Sequence, residues 1–199
     1  MKHLGIDEIS KRKGHQNFAT VVGDLEKGEL IEVIDSHQQD EIIEVLMEQP
    51  LEVREGVEEV SVDMWGGFPK VIEKVFPNAV IVTDRFHVMK AVNEELNKIR
   101  KKIKFSVKIK GAKWLLLKNK KDLKEEELQK LELVLKQSER LRKAHEYKES
   151  FREIYEKVND KEEGRLKFTE WLNKAKEIYT DVIGTIHRHL DSICLSRAC

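Results

Sequence analysis

Cysteine is almost missing from this chain: the only two, Cys194 and Cys199, fall at the extreme C-terminus. Neither a disulfide framework nor a zinc site can organise the fold from there, and a reducing cytosol fits. Long apolar runs are absent too. Nothing approaches the roughly 20 residues of a spanning helix, and Met1 to Gly5 lacks the apolar core of a secretory signal, so neither membrane passage nor export is expected. There is no internal repeat and no low-complexity segment. A phosphate-cradling glycine loop and a Ser or Cys nucleophile arrangement are likewise absent, which leaves a nucleotidase or hydrolase of those kinds without support.

What is present is charge, unevenly spread over 199 residues whose formal sum is zero. Residues 1 to 84 hold 8 Lys/Arg against 18 Asp/Glu, and residues 85 to 199 hold 29 against 19. Between Arg85 and Lys121 there are 13 basic and 2 acidic residues. That density suits a polyanion such as nucleic acid, and it equally suits a solvated lysine-rich helical face.

The acidic half alternates as strands do. His3 to Ile9, Phe18 to Val22 and Leu30 to Ile34 read as a three-stranded antiparallel meander, with turns at Gly14 and at Asp24 to Gly28. A helix bearing Ile42, Ile43, Leu46 and Met47 follows and stops at Gln49 and Pro50. Val60 to Val62 then gives a strand ending in Asp63 and the Gly66-Gly67 break. A helix and a second short strand, Ala79 to Val82, lead to Asp84, and His87 lies where the next helix opens. The order is βββαβαβα, with the later strands apolar on both faces.

This order sets the acids. If the first strand and the Val60 to Val62 strand lie side by side and parallel, Asp7 and Asp63 project together at one end of the sheet. Two close carboxylates repel when ionised, so such a pair shares a proton or binds a divalent cation. With a third acid, they would hold two Mg²⁺ ions about 4 Å apart. Asp84 reads either as a helix cap or as a metal or DNA contact. His87 reads as a structural first-turn residue or as one that contacts a phosphate or orients an acid. Trp65 can pack over the sheet edge or stack on a displaced base. Glu8 alternates to the face opposite Asp7 and makes a poor ligand.

The segments 5–34, 57–102 and, more weakly, 183–193 resemble the catalytic region of bacterial insertion-sequence transposases of the DDE type, in the group that carries an N-terminal zinc-binding and helix-turn-helix region. The motifs are Gly5-Ile6-Asp7-Glu8, Asp63-Met64-Trp65 and Asp84-Arg85-Phe86-His87-Val88, in the family's order and spacing. The resemblance implies an α/β fold: a ribonuclease H-like mixed sheet, a meander plus parallel strands, followed by an all-helical insertion. It assigns residues 1–104 to a partial core, 105–190 to the insertion and 191–199 to an aberrant tail. By the same resemblance Asp7 and Asp63 are the first two metal-binding acids, the cofactor is Mg²⁺ or Mn²⁺, and the partner is DNA at transposon ends and target. The full-length protein would work as a homo-oligomer in the bacterial cytoplasm at the nucleoid.

The family's third acid, a glutamate in an Asn-Ala-x-x-Glu-Gly-like stretch, has no counterpart after Leu190. The chain therefore reads as an internal piece that does not complete the metal site alone. The reading from another class is a non-catalytic remnant that binds DNA or self-associates.

From Val88 on, the apolar period becomes helical. Val88, Val92, Leu96, Ile99 and Ile103 form a stripe that can pack on the sheet, with Lys90, Asn97, Lys101 and Lys104 opposite. These lysines, with Lys108, Lys110 and Lys113, would make a phosphate track. After a break at Lys118 to Asp122, the stripes Leu128 to Val158 and Phe168 to Leu190 predict an antiparallel helical pair, interrupted at Asn159-Asp160 and Gly164. Its narrow apolar face predicts a protruding module or a coiled coil more than a core layer.

Overall fold

The computed structural model describes residues 1–12, 16–64, 66–158 and 160–195, the side chains at 12, 16 and 17 excepted. The Gly14 turn, Trp65, Asn159 and the last four residues of the proposed tail lie outside them. The chain forms two compact units, Met1–His87 with Leu195, and Val88–Cys194.

The first unit is α/β. Strands β1 (His3–Arg12), β2 (Gln16–Asp24) and β3 (Glu29–Ile34) form the meander. After helices α1 (Gln39–Met47) and α2 (Leu51–Glu55) come β4 (Glu59–Val62), α3 (Phe68–Val75) and β5 (Val80–Thr83). The sheet is mixed, in the order β3-β2-β1-β4-β5. The β1–β2 and β2–β3 pairs are antiparallel, and β1–β4 and β4–β5 are parallel. The expected adjacency of the first strand and the Val60 strand is thus observed. Helix α2 was not expected: Pro50 ends α1 and, with its fixed φ, opens another short helix at once.

Alternation builds the core on one face of this sheet. Leu4, Ile6, Val22, Val60 and Val62 point the same way and pack with Ile42, Ile43 and Leu46 of α1 and Phe68, Val71, Ile72 and Val75 of α3. Gly5 points the other way beneath Leu25, whose Cδ2 would lie 2.9 Å from an added Cβ. The later strands are not apolar on both faces. Val80 is exposed at the β5 edge, and Ser61 is only half-buried.

The second unit is helical. It contains most of α4 (Arg85–Lys102), then α5 (Ala112–Leu117), a 3₁₀ turn (Lys120–Asp122), α6 (Glu125–Leu135), α7 (Glu139–Lys157), α8 (Lys161–Ala175), α9 (Val182–Arg188) and α10 (Leu190–Leu195). The two predicted helices are therefore several shorter ones. Ser138 divides the first by accepting the Leu141 N–H as an N-cap, and the second bends between Ala175 and Val182. Gly164 does not interrupt α8. Asp160 caps that helix through the Glu163 N–H, and Gly164 is buried one turn in.

Nor is the unit a thin module without a core. Phe151, Phe168, Trp171 and Tyr179 cluster with ring centroids 4.6–5.6 Å apart in successive contacts. Their polar ends are satisfied, Trp171 Nε1 donating to Tyr147 O and the Tyr179 hydroxyl to Ala144 O. Glu95 of α4, almost fully buried, receives the Asp181 and Val182 amides and so holds the start of α9. Among the described residues, no helix is long and apolar enough to cross a membrane.

Candidate functional site

The site follows from register. The parallel β1–β4 ladder ends at the Ile6–Val62 pair and the β4–β5 ladder at Val62–Thr83. Asp7, Asp63 and Asp84 each come one residue later, so they form a row across three adjacent strands, about 4.8 Å between neighbours. Ile6 and Val62 face the α1 and α3 core, and strand alternation sends the residues after them to the other face.

The last turn of this arrangement is fixed by hydrogen bonds. The Asp84 N–H donates to Val62 O at 2.7 Å, continuing the ladder, and Asp84 Oδ1 accepts the Phe86 N–H at 2.7 Å. One oxygen of Asp84 thus caps α4, as the local sequence allowed. Its other oxygen faces His87. The imidazole Nε2 lies 3.6 Å from Asp7 Oδ2 and 3.8 Å from Asp84 Oδ2. One histidine in the first turn of α4 therefore reaches acids on both flanks of the row. Asp7 is held from its own side, its Oδ1 accepting the Glu8 N–H at 2.8 Å.

Glu8 occupies the opposite face, as alternation requires, yet it belongs to the same electrostatic neighbourhood. Its Oε1 is buried without a hydrogen-bond partner among the described residues. Burial pushes the Glu8 carboxyl above its ordinary value; His37 opposes this, and the charges of Asp63 and Asp7 add to it. The adjacent acids Asp7 and Glu8 were the sequence signal for that neighbourhood, although alternation had set Glu8 aside.

The carboxylates are hard oxygen donors of the type that Mg²⁺ and Mn²⁺ prefer. Their number is short: among the described residues no group of three or more His, Cys, Asp or Glu side chains is placed to hold a metal ion. The donor chemistry of Asp7 and Asp63 fits such an ion.

A transposase family model, that of DDE enzymes of the ISL3 type, matches residues 4–197. The chain belongs to this transposase family. It is 25% identical over 222 aligned residues to the transposase for insertion sequence element IS1557 of Mycobacterium tuberculosis, an alignment covering 95% of this chain and 49% of that protein. It is 28% identical over 151 residues to the transposase for insertion sequence element IS1001 of Bordetella parapertussis, covering 71% of this chain and 37% of the relative. The chain thus spans about half or less of the length of the curated relatives it matches. No solved structure matches it.

Within this transposase-family chain the basic candidates lie in the other unit. Lys90, Lys101, Lys104, Lys108, Lys110 and Lys113 are all exposed. None has a carboxylate partner among the described residues, whereas Lys98, Lys118 and Lys121 pair with Asp181, Glu127 and Glu156. Asn97, between Lys90 and Lys101 on α4, is half-buried, and its Oδ1 accepts from Arg100 Nε. Sequence reasoning missed Gln137 and Trp114 here. Trp114 is an exposed indole inside the lysine run, and only its position in an otherwise basic stretch could have marked it.

Proposed function

We propose that this chain is the catalytic-core portion of a DNA transposase, in which a ribonuclease H-like sheet presents Asp7 and Asp63 to a divalent cation and basic residues of the helical unit hold DNA. The observation that carries the reading is the row of Asp7, Asp63 and Asp84, each one residue past a parallel ladder, in a chain of a transposase family. Asp7 and Asp63 would hold Mg²⁺ or Mn²⁺. When bound, such an ion supplies a more acidic attacking water or hydroxyl and stabilises charge on the leaving phosphodiester oxygen. His87, between Asp7 and Asp84, orients their carboxylates, and the Asp84 cap keeps His87 in place. Lys90, Lys101, Lys104, Lys108, Lys110 and Lys113 would bind phosphates without reading sequence.

In this reading residues 1–104 are the core, 105–190 the helical insertion and 191–199 an appended tail. The DNA partners are transposon ends and target, engaged by a homo-oligomer. A second reading has one observation in its favour, the lack of a complete metal-ligand group among the described residues. In it the chain binds DNA or self-associates without catalysis.

Both readings are separated by incubating the chain with end-labelled duplex DNA and Mn²⁺. The catalytic-core reading expects DNA binding that weakens with salt and any nicking to disappear in Asp63→Asn. Salt-sensitive binding with neither nicking nor Mn²⁺ dependence, unchanged in Asp63→Asn, supports the second reading. Absence of DNA binding at low salt refutes both.

A further inference from the structure

We propose that the segment from Ile103 to Leu117 grips unpaired DNA, with Trp114 stacking on a base and Gln137 holding the segment in its binding shape. This rests on the reading of the chain as DNA-binding and adds the form of DNA that is recognised.

The segment before α5 is irregular, and a free loop of this length would lose much of its affinity to ordering on binding. Here it is already ordered. The Gln137 side chain, in the turn between α6 and α7, pairs with the Val107 backbone as a neighbouring strand would. Its Oε1 accepts the Val107 N–H at 2.9 Å and its Nε2 donates to Val107 O at 3.0 Å. The same Oε1 accepts the Ser106 hydroxyl at 3.1 Å. Past this clamp, Gly111 turns the chain into α5 with φ +81°, a conformation that a residue with a Cβ rarely adopts.

What the clamp displays is cationic and apolar together. Lys104, Lys108, Lys110 and Lys113 are exposed without carboxylate partners among the described residues. Val107 is 62% exposed and Trp114 49% exposed. The Lys118 ammonium lies over the indole, 4.5 Å from its ring centroid, adding charge beside the ring.

Lysines alone would fit any duplex, because its phosphates are all on the outside. An exposed indole gains nothing from a duplex, in which base faces are hidden in the stack. It gains from an unstacked base of any identity. A pre-ordered lysine row with an aromatic face in it therefore matches single-stranded or frayed DNA.

The test titrates the full chain with a thymidine oligonucleotide and with a duplex of equal length, following tryptophan fluorescence. The oligonucleotide is expected to bind more tightly and to quench the signal. Trp114→Ala is expected to remove the quench and to weaken oligonucleotide binding about tenfold, with duplex binding unchanged. Gln137→Leu should weaken it about threefold to tenfold, with an unchanged near-UV circular dichroism spectrum. Equal affinity for both DNAs, or a quench that persists in Trp114→Ala, overturns this proposal and leaves the DNA-binding reading standing. Binding to neither DNA overturns both.

Discussion

His145 makes the helical unit acid-sensitive, by an amount that follows from its surroundings. It is 2% exposed, and its Nε2 is buried with no hydrogen-bond partner among the described residues. Burial, and then the charges of Lys148, Lys120 and Arg142, push its pKa down to about 3. Glu149 Oε1 is 3.8 Å from Nε2 and would favour the imidazolium. However, Glu149 is already paired with the Lys148 ammonium and accepts the Lys120 N–H, so burial prevails. Because the folded value lies below the unfolded one, the unfolded chain binds the proton first. Stability is complete above the unfolded value near 6.5 and is lost as pH falls toward 3. Between pH 7 and pH 5 the loss is about 2 kcal/mol, at about 1.4 kcal/mol per pH unit below 6.5. For a chain of this size that corresponds to about 4–8 °C in Tm. His145→Phe removes the titrating group and strands no partner, so its Tm should fall less over the same interval. Near-UV circular dichroism reads the transition, since Trp171 and Tyr179 belong to this unit. Parallel pH profiles for the two proteins would refute the reasoning.

Lys148 is fully buried, donates to Leu116 O and Lys118 O and pairs with Glu149. Lys148→Ala should cost about 3–5 kcal/mol in urea unfolding, and Lys148→Met, which keeps the stem, distinctly less. Glu95→Ala strands the Asp181 and Val182 amides and should cost about 2–3 kcal/mol, with faster hydrogen exchange at those two amides than elsewhere in the unit. Glu95→Gln retains one acceptor oxygen and should cost about half as much.

The strand arrangement was legible because β1 and β4 are short apolar runs that end in acids, and period-two alternation fixes which way Asp7 and Asp63 face. The Asp84 cap was equally local, being set by residues 84 to 86. Helix boundaries in the second unit were not. Val134 and Leu141, both buried, lie seven residues apart across the Ser138 cap and so keep a helical spacing, and the apolar stripe runs on where the backbone breaks. Gly164 showed the reverse, since burial makes a small residue useful inside α8. Burial of Lys148, Glu95 and His145 was invisible, because a charged residue on a predicted helix reads as solvated until its partners from distant segments are known. The clamp at Val107 depends on Gln137, thirty residues away.

The central claim is that Asp7 and Asp63 jointly hold a divalent cation at the end of the sheet. Its most direct test is Mn²⁺ titration followed by paramagnetic broadening of the histidine ring signals. The His87 signals are expected to broaden first among the histidines, and this broadening is expected to be lost in Asp7→Asn and in Asp63→Asn. Broadening that spares His87, or that persists in both variants, would contradict it.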